Sequence, residues 1–584
     1  MIKKTENKNQ RQRQALVRIL MMVAILICVN VLASYFHSGI DLTKEKRFTL
    51  SEPTIRLLKN MHEVAVIDVY LKGKFPAGIQ RLEEAVRERL RSFKDVAGNK
   101  IIFRFTDPFE GKSDDEKKQV AHDLEQKGIV PHELKSSNDD NDEYSMKVFF
   151  PYALVQYNGK QMPVLLLDYM SAKNSPAEMI SYAETMLEYK FANALNQMGR
   201  RDIAHIAYIT GNGEPLGMNT YDMLSTLQHH YWLETVDLAH VSQISLAYDA
   251  ILIVQPKMTF TEPEKLRIDQ YIIHGGHALF SLNMLDANLD SLRIHPPQLI
   301  AMDNNLELDN LLFQYGVRVN KDLVEDKENM QLARTMNDGQ PQLHDWIYFP
   351  KLNPTSDHPI VRNMDFIRAG FTNSIDTIRS RLIKKTILLQ TSKYSMKADA
   401  PARVSLSMMN FPIPDEIFTK SYIPVAILLE GKFRSAYAGK LAPVFLQYLS
   451  DTLKQPFKVT ADTDGSIIVT SVGDMFMNTY NQKDGVLPMG YYFWTNDFFA
   501  NRDFLLNSME YLTDRSGILE ARSKEMKLRL LDTGRAKEEK STWQFVNVGI
   551  PIAIVLVFAS CYFFFRKRRY EIKQDEIKPS PKDA

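Results

Sequence analysis

The run Thr210-Gly211-Asn212-Gly213-Glu214-Pro215 sets two glycines and a carboxylate between an apolar β-rich segment and a helical one. In a parallel sheet such a turn lies at the carboxyl edge, where ligands commonly bind. Glycine lets backbone amides approach a ligand, and Glu214 is able to accept hydrogen bonds from a sugar or peptide group. Thr210, Gly211, Asn212, Gly213 and Glu214 are therefore candidate ligand-binding residues, with a purely structural turn as the alternative. The dinucleotide fingerprint is not met, because Gly217 is displaced by one position and Pro215 removes an amide that phosphate would need. Asp474, which follows Gly473 and an apolar run, is the other candidate; its structural alternative is a helix cap.

Other chemically suggestive residues read as structure. In His274-Gly275-Gly276-His277 the glycines end a helix, and no carboxylate stands at the short spacing of familiar zinc motifs. His229 and His230 are adjacent, so on a helix they point about 100° apart and do not readily chelate one ion. Ser392 and Ser395 flank Lys393 in the wrong order for Ser-x-x-Lys, and no Gly-x-Ser-x-Gly elbow occurs. Phe504, Leu505, Ser508 and Tyr511 recur at helical spacing and read as core packing. Cys28 and Cys561 are the only cysteines and both fall in long apolar runs, which excludes a cysteine nucleophile, thiolate metal site or disulfide framework elsewhere. No catalytic set, metal site or cofactor site emerges.

The elements that position these residues begin with anchors. Residues 19–36 form an apolar run after Lys3, Lys4, Lys8, Arg11, Arg13 and Arg18, and residues 545–565 form an uncharged run followed by Arg566, Lys567, Arg568 and Arg569. Each is about long enough to span a bilayer, and the basic flanks place both ends in the cytoplasm. Val31-Leu32-Ala33 is compatible with signal-peptidase cleavage, although an uncleaved anchor is the preferred reading. The bulk of the chain is then expected on the periplasmic side of a bacterial inner membrane. With 72 basic and 71 acidic residues the net charge is +1, which provides no field for nucleic acid.

Between the anchors the 584-residue chain is too long for one ordinary core. Apolar β runs alternate with amphipathic helices, the pattern of α/β domains with mostly parallel sheets. The expected organisation is a basic N-terminus at 1–18, a span at 19–36, and a small periplasmic α/β domain at 39–170. A second α/β domain at 171–325 and a further α/β portion at 326–515 come next. A charged stalk at 516–542, the span at 545–565 and a cytoplasmic tail at 566–584 complete the chain. Within this scheme 136–145 reads as a loop, 147–156 with 161–168 as a hairpin, 304–316 as a helix and 326–342 as a polar connector.

The chain resembles the auxiliary, substrate-binding-type proteins of the ABC transporters associated with gliding motility in Bacteroidetes. The likeness rests on Val69-Tyr70-Leu71-Lys72-Gly73 with Phe75-Pro76-Ala77-Gly78, on Thr210 to Glu214, and on Tyr248-Asp249-Ala250-Ile251-Leu252-Ile253 before Gly275-Gly276. Leu312 to Val319, Leu389 to Ser395, Ile427 to Phe433 and Asn501 to Asn507 continue it in order. Val472-Gly473-Asp474 departs from it, since an acidic residue is expected before the glycine.

The resemblance implies a middle region like an intraflagellar-transport domain, related to amidotransferase-like and flavodoxin-like sheets. Amidotransferases use a cysteine that this region lacks, so no enzymatic inheritance is implied. It also implies partnership with a separate ATPase and permease, because the chain has no Walker A pattern. An envelope protein, or a sugar or peptide ligand, is a further expected partner. The alternative is an anchored periplasmic hydrolase of glycan or peptide that uses Glu214 and Asp474.

Overall fold

The protein is described by a computed structural model covering residues 17–28, 49–73, 75–137, 144–167, 176–200, 203–294, 298–335, 341–410, 414–453, 455–514, 516–523 and 539–571. The N-terminal part is a mixed sheet. Ala65–Val69 (β1) pairs in parallel with Ile101–Phe105 (β2), through the helix Ala77–Ala97 (α1) that joins them. Ile79, Leu82, Val86, Leu90, Phe93 and Ala97 are its buried stripe, at the three- and four-residue spacing that keeps one helix face apolar. Tyr152–Tyr157 (β3) and Lys160–Leu165 (β4) complete the order β2-β1-β3-β4.

The expected hairpin is therefore shorter at its start. Pro151 separates β3 from Tyr144–Phe149, which pairs instead with His132–Ser137, so strands occupy both flanks of the predicted loop; 138–143 lie outside the described residues. The helix Pro176–Gly199 (α2) then packs on α1, with the Phe93 and Phe191 rings 6.3 Å apart at 73°. Its apolar face belongs to the same core as β1, β3 and one face of the central sheet.

The central sheet comprises His205–Thr210 (β5), Trp232–Asp237 (β6), Ala250–Val254 (β7), His277–Ser281 (β8), Asn329–Thr335 (β9), Pro341–Pro354 (β10), Ile383–Gln390 (β11), Pro424–Gly431 (β12) and Gly465–Thr470 (β13). Its order is β9-β10-β11-β12-β13-β8-β7-β5-β6. From β6 to β13 the strands are parallel. From β13 to β9 they are antiparallel. The mostly parallel sheet expected from the β/helix alternation, and the flavodoxin-like one implied by the resemblance, are thus corrected to a mixed sheet.

The parallel strands are nearly all apolar because both their faces are covered. Leu252 faces one core and Ile251 and Ile253 the other, the alternation a pleat imposes. Helix Glu262–Ile273 (α3) covers the second face; Thr261 and Glu264 form a capping box at its start. Helix Asn501–Thr513 (α4) covers the first through Phe504, Leu505, Met509 and Leu512.

Strands β11, β12 and β13 lie in the same sheet as β5 to β8, so the expected boundary at 325/326 falls inside one continuous sheet. The connector expected at 326–342 contributes β9 and the start of β10. The helix expected at 304–316 is confined to Asp309–Tyr315, since Asn305 and Glu307 have φ of 51° and 62°. Residues 518–523 of the expected stalk are a short 3-10 turn with Ile518, Leu519 and Ala521 buried in the core, while 524–538 lie outside the described residues.

A separate C-terminal unit holds the helix Lys540–Glu571, within which the 27 residues Thr542–Arg568 are long and apolar enough to cross a membrane. At 1.5 Å per residue that stretch reaches about 40 Å, beyond the ~30 Å hydrocarbon layer. At the N-terminus the described apolar helix is Val17–Cys28, too short by itself for a span, and 29–36 lie outside the described residues. One spanning helix, not two, is therefore present among the described residues.

Candidate functional site

Thr210 ends β5, a strand buried along almost its whole length, and the turn after it is fastened inward. The Asn212 carbonyl accepts from the amides of Lys257 (2.9 Å) and Met258 (2.8 Å). Asn212 Nδ2 donates to the Thr259 carbonyl (3.3 Å) and to Glu264 Oε2 (3.2 Å), and that oxygen also takes the Thr261 amide and hydroxyl at the start of α3. Glu214 Oε2 accepts the Asn212 amide at 2.8 Å. Tyr208 donates its hydroxyl to the Pro215 carbonyl at 2.8 Å. The glycines are explained by this packing: Gly211 has φ of 117°, and a Cβ there would sit 2.7 Å from Asp237 Oδ1.

Glu214 is 7% exposed, and its Oε1 has no hydrogen-bond partner among the described residues. Burial pushes its carboxyl up to about 7, against the lowering effect of the backbone amides, and the negative Glu264 and Asp237 add to the rise. Asn212 Oδ1 is likewise unpartnered among them. The turn therefore latches β5 to α3 and retains two inward-facing oxygens.

Asp474 follows β13 and is half-buried. Its Oδ1 is unpartnered among the described residues, and its Oδ2 would lie 2.9 Å from a Cβ at Gly370. Burial raises its carboxyl, opposed by the Arg368 charge and the Gly370 backbone. Helix capping is not its role, because no helix begins there. The preceding Gly473 amide donates to Asn283 Oδ1 at 2.7 Å.

Strands β7 and β8 stand between β5 and β13, three inter-strand steps or about 14 Å at the strand ends. Paired glycosidase carboxylates stand ~5–9.5 Å apart. No hydrogen bond among the described residues joins Glu214 to Asp474.

The remaining sequence candidates take structural positions. His274 Nδ1 lies 2.7 Å from the Gln270 carbonyl, and His277 Nδ1 accepts the Ser466 amide at 3.0 Å. Among the described residues no group of three or more His, Cys, Asp or Glu is arranged to hold a metal. Ser392 and Ser395 are buried on Asp326, a partner no linear motif announces. Cavities lie elsewhere: about 660 Å³ beside Arg318, Asp322 and Asp399, about 320 Å³ between α3 and Tyr437, and about 270 Å³ between α2 and α4. The last contains Arg522, from the 3-10 turn at 518–523, and Glu510, which carries no signal in the sequence because α4 reads as an ordinary core stripe.

With this geometry in view, comparisons add a family match. A family described as an ABC-type uncharacterized transport system, comprising transport auxiliary proteins, matches residues 204–508, which hold the whole central sheet. A domain of unknown function matches 44–156. A protein of Borreliella burgdorferi, described as uncharacterized, is 21% identical over 582 residues, covering 96% of this chain and 99% of that protein. Among solved structures, the mmIFT52 N-terminal domain is 13% identical with a TM-score of 0.29, covering 53% of this chain and 97% of that domain. The exo-beta-1,4-mannosidase Op5Man5 from Opitutaceae bacterium strain TAV5 is 9% identical with a TM-score of 0.19, covering 79% and 52%.

Proposed function

We propose, from the premise that the chain belongs to the family of ABC-type transport-system auxiliary proteins, that it is a non-catalytic, membrane-tethered accessory subunit of an ABC transporter. The single observation that supports this most is the match across 204–508, joined to a C-terminal helix able to cross a membrane. Family membership implies transporter partner subunits, and a chain without a Walker A pattern relies on a separate ATPase for energy.

In the finer reading, Arg566, Lys567, Arg568 and Arg569 hold the end of the helix in the cytoplasm, and the folded part lies in the periplasm of an inner membrane. Gliding motility is the associated process in this reading. A tethered module beside a permease relays motion or contacts envelope partners, and the closed, internally bonded turn at Thr210–Glu214 favours that interaction role over ligand capture there. Ligand contact by Glu214 or Asp474 remains part of the proposal only if Glu214→Gln or Asp474→Asn changes activity while the complex stays intact.

The deciding experiment is co-purification of the full chain in mild detergent. An ATPase and a permease should be recovered with it in fixed ratio, and their consistent absence would overturn the accessory role.

A further inference from the structure

We propose that the cavity between α3 and the segment carrying the helix Pro443–Asp451 binds a medium-chain monocarboxylate, with its carboxylate on Arg267 and its chain against leucines. Buried side chains of α3 hold the segment at both of its ends. Asp269 takes the Ser435 hydroxyl at 2.6 Å and the Ala436 amide at 2.9 Å. Gln270 accepts the Lys458 amide at 2.9 Å and donates to the Lys458 carbonyl at 3.1 Å. Between these fastenings the chain departs from α3 through the helix Pro443–Asp451, and a cavity of about 320 Å³ is left against α3.

The wall is mostly apolar. Pro263, Leu266, Leu441, Leu449 and Leu453 line it, and the last three are only half-buried. Close-packed interiors leave few voids larger than a water molecule, and an apolar space of this size suits an apolar occupant better than water. At about 30 Å³ for each heavy atom, the share of a water molecule in the liquid, it accepts on the order of ten heavy atoms. Octanoate is a molecule of that size.

Charge selects the head group. Glu262, on the same wall, spends Oε1 on Lys265 at 2.6 Å and Oε2 on the Tyr437 hydroxyl at 2.7 Å, so its charge is already paired. Arg267 lines the cavity and is half-buried, and its Nε and Nη1 donate only to the neutral carbonyls of Ser242 (3.3 Å) and Leu238 (3.0 Å). No carboxylate pairs with it among the described residues. The Nη1–Nη2 edge therefore keeps N–H groups for an incoming carboxylate. Ser242, Gln243, Gln270 and Gln455, also on the wall, are neutral, so one unpaired cation matches one negative charge on the ligand. Binding here is independent of the transporter role.

The test is calorimetry of the full chain in digitonin, whose rigid steroid body is too bulky for the cavity, with octanoate, octanol, octylamine and butyrate as probes. Octanoate should bind saturably, octanol and octylamine about tenfold more weakly or worse, and butyrate about a hundredfold more weakly. Arg267→Gln should weaken octanoate about tenfold and leave octanol unchanged, a split that a merely structural role would not produce. Leu441→Trp, which fills the cavity, should weaken octanoate and octanol alike. No saturable octanoate binding to the unaltered chain at ~5 mM would overturn the proposal, as would equal affinity for octanol. If Arg267→Gln does not fold, the preference of the unaltered chain for octanoate over octanol and the loss in Leu441→Trp decide, and unchanged octanoate binding by Leu441→Trp would place the ligand elsewhere and overturn the proposal.

Discussion

Asp326 holds Ser392 by both of its carboxylate oxygens: Oδ1 accepts the Ser392 hydroxyl at 2.6 Å and Oδ2 its backbone amide at 2.7 Å, with both residues buried. The Ser395 hydroxyl donates to the same Oδ2 at 3.0 Å. A serine that donates to a buried carboxylate and has no base beside it is a fastening. Asp326→Ala would strand the Ser392 amide and hydroxyl, while the Ser395 hydroxyl keeps Thr391 Oγ1 within 2.8 Å; at about 1–3 kcal/mol for each stranded donor, a loss of at least ~2 kcal/mol is expected. Urea unfolding measures it; a loss below ~1 kcal/mol would show that the network carries little.

Acidity should stabilise the fold near neutrality. Glu214, Glu325 and Glu510 are each buried and pushed up to about 7, so the folded chain holds these protons more tightly than the unfolded one. Their contribution is complete below the ordinary carboxyl range near 4.5 and is lost as pH rises through about 7. His358, lowered by burial to about 4, and His132 and His230, also lowered by burial, act oppositely as pH falls through 6.5, so the carboxyl contribution is the larger at the upper end of this window. Unfolding free energy should therefore rise on going from about pH 7.5 to 6.5, with a ceiling of ~1.4 kcal/mol per pH unit for each group. Fluorescence of the buried Trp346 tracks the transition. A triple Gln variant at the three positions should flatten the slope, and an unchanged slope would refute the assignment.

Gly211→Ala should destabilise by about 1–3 kcal/mol through its φ of 117° and the approach to Asp237 Oδ1. Adding Asp237→Ala should return the steric share and leave the backbone share. A double-mutant cycle separates them, and strict additivity would mean the contact is unimportant.

Val555→Arg places a charge mid-helix within Thr542–Arg568. Insertion scales assign such a residue ~2.5–3.5 kcal/mol, so alkaline extraction should release a larger share of the variant than of the unaltered chain. Equal retention would argue that this helix does not anchor the protein.

The parallel half of the sheet was legible because Ala250–Val254 and its neighbours are buried on both faces and therefore uniformly apolar. In the antiparallel half the apolar runs at 386–390, 423–429 and 466–472 were legible as strands and became β11, β12 and β13, but their pairing order was not, and β9 with the start of β10 looked like a polar connector. At the candidate turn, the glycines and their strand-end position were readable. The inward commitment of Asn212 was not, since Glu264 and Lys257 meet it only after α3 packs. Glu510 was hidden for the same reason: Tyr189, its hydroxyl partner, lies 321 residues away.

The position of β13 has a consequence for biogenesis. It inserts between β8 and β12, so β8 carries a bare hydrogen-bonding edge from the moment residues 277–281 emerge until residues 465–470 are synthesised. An open apolar edge of this kind invites intermolecular strand pairing. Nascent chains halted before 465 should therefore aggregate or require a holding chaperone, whereas those extended past 470 can close the seam unaided.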